Sequence, residues 1–145
     1  MRTIYFDMDG TIADFYGVNG WLDYLIARET TPYEEAKPLL FFSLFARLLN
    51  NLQRKGYRIG IISWLAKNSD DEFDEAVRIA KLNWLKTHLP SVHFDEIHIV
   101  AYGTPKESFS KNEMDILFDD EKQNRENWNG ISYDVQNIIE ILRAF

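Results

Sequence analysis

The stretch Thr3-Ile4-Tyr5-Phe6-Asp7-Met8-Asp9-Gly10-Thr11 decides the fold of this chain. Four apolar, β-prone residues run straight into two carboxylates two positions apart and a Gly turn. The run is short and is bounded by turn residues, so it predicts a buried strand with an acidic carboxyl end. Later stretches repeat the theme. Arg58-Ile59-Gly60-Ile61-Ile62 ends at Ser63. Glu96-Ile97-His98-Ile99-Val100 leads to Gly103-Thr104-Pro105-Lys106. Asp115-Ile116-Leu117-Phe118 ends at Asp119-Asp120, and Ile131-Ser132-Tyr133 offers a short fifth strand.

Helical patterns lie between these runs. Residues Asn19 to Thr30 and Tyr33 to Lys55 read as helical, with breaks near Thr31-Pro32 and Pro38 and a cap at Gly56. Ser69-Asp70-Asp71-Glu72 has the capping-box pattern. The helix that it opens carries acids in its first turn and Lys81, Lys86 and His88 late, which suits the helix dipole. Phe73, Val77, Ala80 and Trp84 mark its apolar face, and Pro90 closes it. Asp134 is placed to cap a last helix, on whose apolar side lie Ile138, Ile141, Leu142 and Phe145. Strands alternating with helices predict an α/β fold with a parallel sheet covered on both sides. In such folds ligands bind outside the carboxyl ends of the strands. Those ends carry Asp7, Asp9, Ser63, Lys106, Asp119 and Asp120.

Composition narrows the chemistry. The chain has 145 residues, enough for one domain with a full core. No apolar run is long enough for a membrane span, and the N-terminus, which meets acids at once, does not read as a signal peptide. Cysteine is absent, which removes disulfides, thiolate metal sites and cysteine nucleophiles and fits a cytosolic, cytoplasmic setting. A net charge of −7 argues against binding to duplex nucleic acid. It also means that any phosphate ligand needs a local cation.

An Asp-Gly pair is by itself an ordinary turn signal. Asp119-Asp120 changes that, because three or four carboxylates on one sheet edge repel strongly unless a cation sits among them. Oxygen ligands without His or Cys suit Mg²⁺. Beside such an ion, Asp7 can attack phosphorus as a carboxylate nucleophile, and Asp9 can protonate the leaving oxygen and then activate water. Thr11, Ser63 and Lys106 are candidates to hold phosphate oxygens. Lys111 competes with Lys106, but Lys106 directly follows the strand, in Thr104-Pro105-Lys106-Glu107, where Thr104 can cap a short turn. Among the aromatic residues, Phe15 and Trp64 are placed to line a substrate pocket. His88, His93 and His98 show no ligand spacing.

These residues carry a resemblance. Asp7-Met8-Asp9-Gly10-Thr11-Ile12-Ala13-Asp14-Phe15 resembles the first motif of the haloacid dehalogenase-like (HAD) phosphatase superfamily. Ser63 after its Ile-rich strand resembles the second motif, and Ile116-Leu117-Phe118-Asp119-Asp120 the fourth. The resemblance implies a three-layer Rossmann-like parallel sheet with a small helical cap inserted after the first strand, at about residues 15–42. It implies a Mg²⁺-dependent phosphatase with Asp7 as nucleophile and Asp9 as acid/base. The third motif supplies a lysine, Lys106 by position. Candidate metal ligands are Asp7, Asp9, Asp119 and Asp120, with Asp120 on the metal by position and Asp119 supporting the metal's waters or the lysine. Within the superfamily the chain looks most similar to the 5′(3′)-deoxyribonucleotidase branch. That likeness rests on Ala13-Asp14-Phe15 and on the Lys81-Leu82-Asn83-Trp84-Leu85-Lys86-Thr87-His88-Leu89 helix before the third strand. The insert is shorter than that branch carries, and Ser63-Trp64 stands where a Thr is usual. A small phosphometabolite or nucleoside monophosphate is therefore the expected substrate. A phosphorylated nucleic-acid end, a phosphoprotein, or an inactive binding module that keeps the fold are the other readings.

Overall fold

A computed structural model describes residues 2–145. Strands β1 (Thr3–Phe6), β2 (Arg58–Trp64), β3 (Glu96–Val100), β4 (Ile116–Phe118) and β5 (Ile131–Tyr133) form one sheet in the order β3-β2-β1-β4-β5. Every pairing is parallel. The first strand therefore lies at the centre, where its burial on both faces explains why Ile4-Tyr5-Phe6 is hydrophobic and why all four residues from Thr3 are buried.

The register sorts side chains onto two faces. Ile4, Ile59 and Ile116 are neighbours across the sheet, as are Phe6, Ile61 and Phe118. Helices α3 (Phe42–Arg54), α4 (Asp71–His88) and α6 (Ile138–Arg143) cover this face through Phe45, Leu49, Trp84, Ile138 and Leu142. Tyr5, Ile62 and Leu117 point to the opposite face. Trp128 and Phe109 pack there, beside α5 (Lys122–Asn127) and the 3₁₀ turn Lys106–Phe109. Gly60 leaves room for the Tyr5 ring, which a Cβ at that position would meet at 2.7 Å. The result is a parallel sheet covered on both sides, as the strand pattern predicts, in the three-layer Rossmann-like α/β architecture that the resemblance implies.

Between Asp9 and α3 the chain makes an excursion through a 3₁₀ turn (Phe15–Gly17), α1 (Trp21–Ile26) and α2 (Thr31–Glu35). Its base is closed by two backbone hydrogen bonds, Asp14 N to Lys37 O at 2.8 Å and Leu39 N to Ile12 O at 2.9 Å. Phe15 and Tyr33 from this insert pack on Leu65, Phe73, Val77 and Ala80. The Trp84 indole N–H donates to Ala36 O at 2.7 Å and ties the insert to α4.

The break near Pro38 is present and separates α2 from α3, so three short helices precede β2. Other local expectations give way. Pro32 lies in the first turn of α2, where proline is tolerated, so it starts a helix rather than breaking one. Pro38 pairs with Ala13 in an extended segment, and α3 begins only at Phe42. The cap of α4 is Asp70, whose carboxylate accepts from Phe73 N at 2.8 Å, one residue later than the Ser69 reading. The Thr104 hydroxyl donates back to Ala101 O and caps nothing. Asp134 accepts from Val135 N, while α6 starts later with Asn137 at its cap position.

Candidate functional site

The carboxyl ends of β1 and β4 are adjacent, so Asp7, Asp9, Asp119 and Asp120 leave the sheet side by side. Gly10 takes φ +81°, a left-handed conformation that suits glycine. It lets the chain turn sharply: Met8 O accepts from Thr11 N, Ile12 N and Ala13 N at 3.1, 3.0 and 2.9 Å. The turn swings Thr11 back beneath the strand ends. Its hydroxyl lies 3.2 Å from Asp7 Oδ2 and 3.1 Å from Asp120 Oδ1, and it accepts from Asp120 N at 3.2 Å. With one proton, the hydroxyl donates to one carboxylate at a time. Thr11 is buried and braces the acids.

Lys106 comes from the loop after β3 and is 1% exposed. Its ammonium donates to Asp7 Oδ1 at 2.9 Å and to Asp119 Oδ2 at 2.7 Å. Its Nζ also sits 5.2 Å from the centre of the Trp64 ring. Asp119 is fully buried and further held by Glu121 N and the Asn124 amide, at 2.9 and 3.1 Å. Lys111 lies on the surface in an ion pair with Glu96, so of the two competing lysines it is Lys106 that meets the acids.

Asp7, Asp119 and Asp120 each present a carboxylate oxygen within 4.8 Å of the others. Three carboxylate oxygens gathered in this way could hold a hard divalent cation. The electrostatics point the same way. Burial, then the charge of Asp7, pushes Asp119 up to about 6. Burial, then Asp7, with Asp119 adding, pushes Asp120 up to about 8. Burial pulls Lys106 down, but Asp7 and Asp119 more than offset this and hold it firmly charged. A site that clings to protons on its carboxylates carries surplus negative charge, which a divalent cation relieves.

Asp9, grouped with the metal ligands in the sequence reading, has its carboxylate outside this cluster. It turns toward α4 and accepts from Lys81 at 3.0 Å. Burial raises the Asp9 pKa, Lys81 opposes that, and Asp7 adds to it. Ser63 is buried and its hydroxyl oxygen accepts from the same lysine at 2.6 Å. Lys81 is thus a site residue that sequence reading assigned to the helix dipole. The signal was present: Phe73, Val77 and Lys81 fall at i, i+4 and i+8, on the stripe that continues into Trp84 and Leu85. A lysine on the apolar side of a helix is rarely buried unless something charged awaits it. Asn124 carried no such signal.

Above the acids lies a pocket of about 520 Å³. Asp7, Asp9 and Lys106 form its floor. Phe15, Tyr16, Trp21 and Leu25 from the insert make one wall, and Trp64 and Tyr102 another. Phe15 and Trp64, the two aromatic residues singled out in the sequence, are both among its lining residues. The Trp64 indole donates to Thr104 O at 2.9 Å, and its ring meets Tyr102 at 5.0 Å between centroids.

No family model and no curated protein matches the sequence. The fold is similar to a solved structure described as "Crystal structure of D,D-heptose 1,7-bisphosphate phosphatase from Burkholderia Thailandensis". The TM-score is 0.52 at 18% identity, over 87% of this chain and 70% of that one. The shared architecture is the α/β one described above, and no helix of this chain among the described residues is long and apolar enough to cross a membrane.

Proposed function

We propose that this chain is a Mg²⁺-dependent phosphomonoester hydrolase that works through an aspartyl-phosphate on Asp7. The observation that carries the reading is the setting of Asp7. It lies on the floor of an organic-sized pocket, between a buried ammonium and a hydroxyl, within an oxygen-only cluster of acids. Asp7, Asp119 and Asp120 would hold the ion, which supplies charge neutralisation and polarises the phosphoryl oxygens. Lys106 holds the Asp7 carboxylate in place for attack on phosphorus. As the Asp7–phosphorus bond forms and the bond to the leaving oxygen breaks, Asp9 gives that oxygen its proton. Asp9 then takes a proton from the water that cleaves the aspartyl-phosphate. Asn124 and Glu121 N hold Asp119, and Thr11 holds Asp7 and Asp120, so the acids need little rearrangement during the reaction.

The substrate we propose is a small phosphorylated metabolite, with a nucleoside monophosphate preferred, as in a 5′-nucleotidase. The pocket walls support this: a planar ring can lie among Tyr16, Trp21, Trp64 and Tyr102, and stacking on such rings is worth about 1–3 kcal/mol per base. The test is phosphate release from p-nitrophenyl phosphate and a nucleotide panel, with Mg²⁺ and with EDTA. Turnover should require the metal, and Asp7→Asn should abolish it while the circular dichroism spectrum stays unchanged. No metal-dependent release from any substrate, or turnover by Asp7→Asn, would sink the reading. Release from phosphopeptides or 5′-phosphorylated oligonucleotides alone would move it to a macromolecular substrate.

A further inference from the structure

Among the described residues, Lys81 is the one buried cation that the proposed chemistry leaves unused. It sits near the middle of α4, 1% exposed. Its ammonium has three N–H donors and three acceptors: Asp9 Oδ2 at 3.0 Å, Ser63 Oγ at 2.6 Å and Trp64 O at 2.7 Å. The ring of Tyr33 from the insert lies over it at 5.2 Å. Removing an ammonium from water costs several kcal/mol, and a well-packed apolar side chain at such a position is often as stable or more so. An apolar residue here would continue the Phe73–Val77–Trp84 stripe without that cost. None of the three acceptors belongs to α4 itself. All lie at or just beyond the ends of β1 and β2, and Asp9 and Trp64 also line the pocket, so the lysine serves the sheet edge rather than its own helix.

We infer that Lys81 is the positioning residue for Asp9. It grips one oxygen of that carboxyl group and leaves the other to work on the substrate, and it fixes Ser63 at the neighbouring strand end through the same ammonium. Lys81 exchanges no proton itself. The inference rests on the hydrolase reading, in which Asp9 must stay within hydrogen-bond reach of the leaving oxygen. A lysine that merely neutralised charge or supported the fold would affect all substrates alike. A lysine that aims the proton donor matters most when the leaving group needs a proton.

The experiment compares p-nitrophenyl phosphate, whose leaving anion is stable, with benzyl phosphate, whose alkoxide is not. The quantity is kcat/KM, which reports the first transfer alone. Lys81→Met should lower it for benzyl phosphate by about 10²-fold and for p-nitrophenyl phosphate by less than about 5-fold. Lys81→Arg, which keeps the charge, should restore most of the benzyl phosphate activity. An equal fall on both substrates overturns the assignment. If circular dichroism shows that Lys81→Met does not fold, Lys81→Gln carries the same comparison, and an equal fall there overturns it too. Wild-type protein inert toward both substrates and the nucleotide panel would instead overturn the hydrolase reading and this inference with it.

Discussion

Gly10→Ala adds one methyl group at a point where two independent costs can be separated. The backbone there has φ +81°, and an L side chain in the left-handed region costs about 1–2 kcal/mol. The added Cβ would stand 2.6 Å from Asp120 Oδ2 and 2.9 Å from its Cγ. A carboxylate is the far end of a flexible side chain, so it yields cheaply, by on the order of 1 Å to reach ordinary contact. That small movement matters because Mg²⁺ demands near-ideal octahedral geometry, with ligand distances held to about 0.2 Å. Stability should therefore fall by only about 1–2 kcal/mol, measured by urea unfolding in EDTA. Mg²⁺ affinity, measured by calorimetric titration without substrate, should fall by about 10–100-fold. Lys106 still holds Asp7, so the substrate site is otherwise unchanged. A variant that binds Mg²⁺ as tightly as wild type, with the expected loss of stability, would show that Asp120 is not a ligand and refute the reasoning.

Three further outcomes follow from the same geometry. Lys106→Met leaves Asp7 and Asp119 facing each other without their cation, and should cost about 3–5 kcal/mol in urea unfolding while eliminating turnover; a loss below 1 kcal/mol would mean that the pairs contribute little. Asp119 and Asp120 have folded-state pKa values raised to about 6 and about 8, so the folded chain binds protons that the unfolded chain has lost. Their contribution is full below the ordinary carboxylate value and declines as pH rises through 6 and 8, so the melting temperature in EDTA should fall between pH 5 and pH 8, and Mg²⁺ should raise it more at pH 8. An equal Mg²⁺ effect at both values would contradict this. Gly130→Ala places a Cβ 2.3 Å from Asp115 O, a backbone atom that cannot step aside, and should cost about 1–3 kcal/mol or more in stability with Mg²⁺ affinity unchanged. Altered metal binding in that folded variant would mean the β4 end is less rigid than drawn.

The parts of the fold that were legible in the sequence are those where one physical demand dominates. A strand buried on both faces must be apolar throughout, and Ile4 to Phe6, Ile59 to Ile62 and Ile116 to Phe118 are. A carboxylate at the end of such a strand has few structural uses, so the sequence alone places Asp7 and Asp119 at one edge. The insert was less legible, because its short helices meet several demands at once. Tyr33 is a core residue of the insert and also lies over Lys81, and α3 begins at Phe42 rather than directly after the break at Pro38. Local propensity is a weak guide where tertiary pairing decides. Lys81 was misread for a related reason. A charge on an apolar stripe has a physical meaning only once its partner is known, and Asp9 is 72 residues away in the chain.

The two buried lysines also bear on how a chain with a net charge of −7 could admit a phosphate. Asp7, Asp9, Asp119 and Asp120 face Lys81 and Lys106, so the fully ionised site is short of two positive charges, the charge of one divalent ion. Without that ion, Asp120 tends to keep its proton near neutral pH, and the site still repels an anion. With the ion bound, the acids no longer dominate the pocket floor, and Lys106 lies beside the oxygen that would attack. On this account the metal does more than activate phosphorus. Its binding should come before tight phosphate binding, so in the full chain the affinity for inorganic phosphate should rise with Mg²⁺, and the affinity for Mg²⁺ should rise with phosphate by the same factor.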